Sequence, residues 1–314
     1  MTKNKLSKVG AMIAAMLLYS LELQALETCF SFIPYASNSS FVQLPENKKF
    51  CFHFSNEKTH MSTNDLGGRM IKRSFLPNEI IAFGESQLLG LDLSDLKPKV
   101  KHDLSTLFPS SAITIYAAPN NGPLQALQQI KKVHIFKSLA NKNIVVGFNF
   151  GTDIFRIQDH WNPENFVPLN MAQLNRSFSI PGYHDIILFV SRLRGVKFGG
   201  TKSNSKLIRR LYFQMGKDRR RENIDNWLLK LNNSEIRRGK KRYFVLYPPY
   251  WYVGAGKREK QDIGDDYFEL ACKAHDSKIF DEVLVAELPK ETVKFAVDNR
   301  HFLSEEMNFE KYRC

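Results

Sequence analysis

The chain has 314 residues, 43% of them hydrophobic, and a formal net charge of +13. That much apolar sequence supplies the core of one large domain with appendages and removes the need for disulfide staples. The charge is local: Lys206 to Arg242 holds 13 Lys and Arg against four acids, a net of +9 that leaves +4 for the rest, so basicity is not a property of the whole fold.

At the N-terminus, Lys3, Lys5 and Lys8 precede an apolar run from Val9 to Tyr19, and Ser20, Glu22 and Gln24 follow before Ala25. Charged, apolar, then polar is the order of a secretory signal peptide. Residues 1–25 are therefore expected to be a signal peptide or membrane anchor, and the protein to be exported, either periplasmic or anchored facing outward. Residues 26–76 mix aromatic, polar and turn-forming residues, including "STNDLGGRM" at Ser62–Met70, and are expected to form an N-terminal extension packed on the next domain.

From Pro77 the pattern changes. Residues 80–83 ("IIAF"), 112–118, 143–150 and 243–247 are short apolar runs of the kind that form buried strands. Between them, Gly122 and Pro123 open a helix that places Leu124, Leu127, Ile130 and His134 along one face, and residues 265–278 form another helix with acids in its first turn. Buried strands alternating with helices predict an α/β fold with a parallel sheet covered on both faces. The stretch from about 152 to 240 is longer than one crossover needs; it reads as a helical insertion holding the basic cluster. The cluster reads either as a solvated helical face or as a surface for acidic glycan or anionic membrane at 206–242. No zinc-finger, homeodomain or RNP-type pattern accompanies it, so nucleic acid is not an expected partner.

Cys29, Cys51, Cys272 and Cys314 lack the close paired spacing of a zinc site, and no metal is expected. In an oxidising compartment, Cys29–Cys51 with Cys272–Cys314 is one of three connectivities; reduced core thiols are the alternative.

Ser86 follows the first of the four strands, in "FGESQLL", where a parallel sheet opens its ligand crevice. Serine needs a base to become a nucleophile, and that base needs an acid to orient it. Of eight histidines, His301 has the best-spaced acid, Asp298, three residues earlier in "VDNRHFLSEE". Two further loops at the same strand ends offer oxyanion donors: Gly122 through its N–H, or else a turn glycine, and Asn149 through its amide, or else an Asx-turn former.

In that order, Gly-Glu-Ser-Gln, a later Gly, Gly-Phe-Asn and Asp-x-x-His-x-x-Ser make a series that resembles the SGNH/GDSL hydrolase superfamily over about Pro77 to Asn308. "GFNFGTDIFRI" (147–157), "YAAPNNGP" (116–123) and the upstream "TNDLGGR" are similar to exported, polysaccharide-associated members. The resemblance implies a flavodoxin-like three-layer sandwich over residues 77–314. It implies Ser86 as nucleophile, His301 as base, Asp298 as its acid, and an oxyanion hole of the Ser86 N–H, the Gly122 N–H and the Asn149 side chain, with no cofactor. The departures are Glu85 where the family has Asp, Phe150 where a second acid usually stands, and Met307 near a customary glycine. The expected substrate is acylated, most simply acetylated, cell-surface carbohydrate, cleaved by water or transferred to a second sugar. The rivals are a lipid esterase or lysophospholipase at the membrane and a silent member that binds or helps to export polysaccharide.

Overall fold

The structure is a computed structural model that describes residues 36–38, 41–54, 57–72, 78–90, 93, 102–118, 121–157, 209–290 and 307–314. The expected signal segment 1–25, Cys29, Asp298, His301 and residues 158–208 of the expected insertion lie outside the described residues.

Two small antiparallel pairs come first: β1 (Ala36–Asn38) with β2 (Phe41–Gln43), and β3 (Lys49–Phe54) with β4 (Glu57–Ser62). A seven-stranded sheet comes next, built from β5 (Arg69–Lys72), β6 (Asn78–Gly84), β7 (Ser111–Ala117), β8 (Asn143–Asn149), β9 (Lys241–Tyr247), β10 (Glu282–Ala286) and β11 (Phe309–Lys311). Its spatial order is β11-β10-β9-β8-β6-β7-β5. The five inner strands are parallel and only the two outer ones antiparallel. The fold is thus α/β around a mostly parallel sheet. Four of its strands match the apolar runs; β5, β10 and β11 are additions, and β5 brings residues upstream of 77 into the sheet.

The helices are α1 (Ser86–Leu89), α2 (Asp103–Leu107), α3 (Pro123–Phe136), α4 (Phe150–Arg156), α5 (Lys217–Asn232) and α6 (Lys257–Asp276), with residues 209–215 also helical. Strand alternation divides the core in two. Ile81, Phe83, Val146, Phe148, Phe244 and Val285 face one cluster with α3, α5 and α6. Ile80, Ala82, Val145, Val245 and Leu284 face the other, with Leu88 and Leu89 of α1 and Leu104 of α2. The division follows from right-handed crossovers: β6 to β7 runs one way along the sheet and every later crossover runs the other, so their helices land on opposite faces.

Three sequence expectations are corrected. On α3 the buried stripe is Ala126, Gln129, Ile130 and Val133; Leu124, Leu127 and His134 lie only partly buried beside it. Helix α6 begins at Lys257, eight residues before the expected start, with Glu259 closing a capping box onto Gly256. The basic segment is not a simple solvated face. Arg220 is buried, its Nε and Nη2 donating to Asp266 at 2.9 and 2.5 Å, and Tyr212 donates to the same carboxylate at 2.5 Å. Arg221 pairs with Glu269 and Arg238 with Glu235. Ile224, Trp227, Leu228 and Leu231 continue the buried stripe that Arg220 begins and pack α5 against the sheet, so this helix is part of the β8-to-β9 crossover itself.

Cys272 and Cys314 form a disulfide that ties the chain end to α6 across 42 residues, and Cys51 is also disulfide-bonded, so these three are not reduced core thiols. Closing a loop of that length restricts the unfolded chain, and the Cys272→Ser/Cys314→Ser variant should be less stable by about 2–4 kcal/mol. Denaturant midpoints of wild type and variant read it directly; superimposable curves would contradict it.

Candidate active site

The strand order reverses between β6 and β8: from β6 the chain goes first to β7 on one side, then back past β6 to β8 on the other. A crevice opens at the carboxyl ends of the strands at such a point. Ser86 opens α1 two residues past the end of β6 at Gly84, and Asn149 ends β8. Two glycines let α1 sit close on these strand ends: a Cβ on Gly84 would meet Leu88 Cδ2 at 2.7 Å, and one on Gly147 would meet it at 3.0 Å.

Glu85 is the hub. It caps α1, its Oε1 accepting the Gln87 N–H at 2.7 Å, while its Oε2 accepts the Ser86 hydroxyl at 2.5 Å. Across the strand boundary, Asn149 Nδ2 donates to Glu85 Oε1 at 3.2 Å. The Asn149 amide is oriented by its own helix, because Oδ1 caps α4 by accepting the Gly151 N–H at 3.0 Å, which turns Nδ2 toward Glu85. Ser86, Asn149 and Glu85 therefore form one buried group. The glutamate carboxyl reaches both of the others.

Gly122 is at the head of α3, after β7. Its N–H donates to Gln125 Oε1 at 2.9 Å, closing a capping box, and the tight fit against Arg156, 2.4 Å from a built Cβ, leaves no room for a side chain. In this conformation the oxyanion donor expected of Gly122 is engaged by Gln125. Arg156 also donates to the Asn121 carbonyl at 3.1 Å, so the β7 loop is pinned to α4. Asp298 and His301 lie outside the described residues, so the two groups brought together are Ser86 and Asn149.

Asp153 stands one turn into α4, where its Oδ2 accepts the Asn149 N–H at 2.9 Å and Oδ1 lies 3.7 Å from Arg156 Nη1. Burial pushes its pKa well above the usual carboxylate range, Glu85 adds to the rise, and Arg156 opposes it. Because the folded value lies above the unfolded one, the stabilisation it lends is full at acid pH and is lost as pH rises through the folded pKa. Asp153→Asn keeps an oxygen acceptor for Asn149 and removes that loss. The variant should gain melting temperature over wild type at pH 8 and gain less, or lose, at pH 4; an equal shift at both would contradict it.

Among the described residues the grouping of metal-ligand types is His275, Asp276 and Cys314, but the Cys314 sulfur is bonded to Cys272 and offers no thiolate. Likewise no helix among the described residues is long and apolar enough to cross a membrane. Compared with protein-family models, curated proteins and solved structures, the chain matches none.

Proposed function

We propose that the protein is a serine esterase of SGNH type on a flavodoxin-like three-layer sandwich, acting on small acyl groups, most simply acetyl, of cell-surface carbohydrate. The observation that carries this is the meeting of Ser86 and Asn149 on the Glu85 carboxyl at the sheet's switch point. The five parallel strands run in the order β7-β6-β8-β9-β10, which is the flavodoxin-like order.

Topology supports His301 as the partner. The chain leaves the sheet after β10 and returns at β11, with the Glu287 N–H donating to the Asn308 carbonyl at 2.9 Å and Ala286 paired with Phe309. Both ends of this excursion are at the carboxyl edge that carries Ser86. Strand β11, which Asn308 leads into, lies four strand spacings from β6, about 19 Å. The chain from His301 to Asn308 is long enough to cover it, since seven extended residues reach about 23 Å.

In the proposed reaction His301, oriented by Asp298, takes the Ser86 proton as Oγ attacks the ester carbonyl. The oxyanion is held by the Ser86 N–H, the Asn149 amide and, once Gln125 releases it, the Gly122 N–H. The C–O bond to the alcohol breaks as His301 returns the proton, and water or a sugar hydroxyl then removes the acyl group from Ser86. The disulfides suit export. An acidic glycan is the partner that suits Arg210 and Arg258, which line a groove of about 570 Å³ with Phe213 and Asp262 and have no ionic partner among the described residues.

One observation favours a second reading, a silent carbohydrate-binding member: the Ser86 hydroxyl, the Asn149 amide and the Gly122 N–H each already have a protein partner. Treatment of the full chain with a fluorophosphonate probe separates the two. Covalent label on the Ser86 peptide, with release of acetate from an aryl acetate, is expected of the esterase; an unlabelled, inactive protein that binds acetylated polysaccharide belongs to the silent reading.

A further inference from the structure

Helix α1 is one turn long, and an isolated turn has no stability of its own. Its shape is imposed at both ends. At the N-terminus Glu85 caps it; at the C-terminus the exposed carbonyls require donors from elsewhere. Arg69, 2% exposed, serves the last carbonyl of the helix and those just past it: Nη1 donates to the carbonyls of Leu89 and of the cap residue Gly90, each at 2.6 Å, and Nη2 to that of Leu93 at 2.5 Å. The Leu88 carbonyl is 2.9 Å from His102 Nε2. Since His102 Nδ1 accepts the Leu104 N–H at 3.1 Å, the ring is neutral at that nitrogen and Nε2 carries the proton given to Leu88.

The "TNDLGGR" stretch is the device that delivers this guanidinium. Asn64 folds it into a turn, Oδ1 accepting the N–H of Leu66 at 3.0 Å and of Gly68 at 2.8 Å, while Nδ2 donates to the Tyr116 hydroxyl at 2.9 Å. Gly67 has φ +76°, and a Cβ there would sit 2.4 Å from the Leu44 carbonyl oxygen, so glycine is required. The turn sends Arg69 into β5, opposite Ile115 of β7, and its side chain passes beneath the serine turn. The charge also suits the negative end of α1.

We infer that Arg69 is a positioning residue for the proposed nucleophile, fixing Ser86 through the carbonyls at the far end of its one-turn helix. This rests on the serine-esterase reading for its catalytic consequence, though not for its structural one. Glutamine in place of Arg69 reaches at most one or two of the three carbonyls, and lysine brings the charge without the planar fork. The Ser86 hydroxyl, one turn away, is then free to drift, and misplacement by about 1 Å lowers rates by about 100-fold.

The test has two arms. Arg69→Gln and Arg69→Lys are compared with wild type for aryl acetate hydrolysis, with melting temperature as the check on folding. Arg69→Gln is expected to lose about 10- to 100-fold in kcat with KM moving less than about 3-fold, and Arg69→Lys to recover part of the loss. An unchanged kcat, or a loss matched by the unfolded fraction, would overturn the inference. The second arm is amide hydrogen exchange across residues 86–90 and across β6, read in the folded proteins. Faster exchange confined to 86–90 in Arg69→Gln supports the inference, and unchanged exchange there sinks it. If wild type has no esterase activity, the proposed function fails and the exchange arm still decides whether Arg69 holds the turn.

Discussion

Ser86→Ala should lower aryl acetate turnover by about 10⁴- to 10⁶-fold and abolish labelling by the serine probe. The magnitude is that of losing a nucleophile whose surrounding donors survive: the residual rate belongs to the oxyanion hole and to binding. Here the same substitution has a structural cost. The Ser86 hydroxyl donates to Glu85 Oε2 at 2.5 Å within a buried group, and alanine leaves that oxygen without this donor. A stability loss of about 1–3 kcal/mol is expected beside the loss of rate. Stability and activity therefore have to be measured on the same preparation. A variant that loses stability yet turns over like wild type would make Ser86 a helix-turn residue and end the esterase proposal.

The second large effect is on acid stability. His102, 4% exposed, is lowered to a pKa of about 3, first by burial and then by the Arg69 guanidinium, against hydrogen bonds to Leu88 and Leu89 that raise it. The unfolded histidine titrates near 6.5. Between the two values the unfolded chain binds a proton that the folded chain refuses, so the stabilisation is complete above about pH 6.5 and is lost as pH falls toward 3. The integrated loss is on the order of 4–5 kcal/mol. His102→Asn keeps a cap acceptor for Leu104 and gives up the titration. It should be less stable than wild type at pH 7.5, with a shallower decline on acidification, so that the two denaturation free energies converge by pH 4. Parallel declines would show that His102 titrates no differently when folded.

The parts of this architecture that were legible in the sequence are those with local causes. A run of apolar residues ended by Gly-Glu-Ser marks the close of β6 because a buried strand and the turn after it are both written in consecutive residues. Gly122 and Pro123 mark the start of α3 for the same reason. Strand β11 is three residues long and β5 four, too short for any alternation to register, and the first turns of α6 are a charged run, Lys257 to Asp262, whose helicity depends on the Glu259 cap and on the apolar turns from Ile263 onward. The partners of Arg69 were out of reach in principle. They are backbone carbonyls 20 to 24 residues downstream, and a carbonyl leaves no mark on a sequence. The same is true of His102, whose place near the site is structural and not that of a base. Glu85 is intermediate: its place between Gly84 and Ser86 at the strand end was visible, whereas its reach to both Ser86 and Asn149 needed the fold.

The two rims of the sheet have a bearing on how the molecule stays unaggregated at high concentration. One rim is β5, four residues interrupted by a register shift between Met70 and Lys72; the other is β11, three residues ending in Lys311 and succeeded at once by the Cys314 staple. Each is brief, carries lysine, and is irregular or tethered, so a second chain finds no long row of vacant amides on which to add a strand. The parallel core, the part most prone to fibrous growth if laid bare, is fenced on both sides by antiparallel guards.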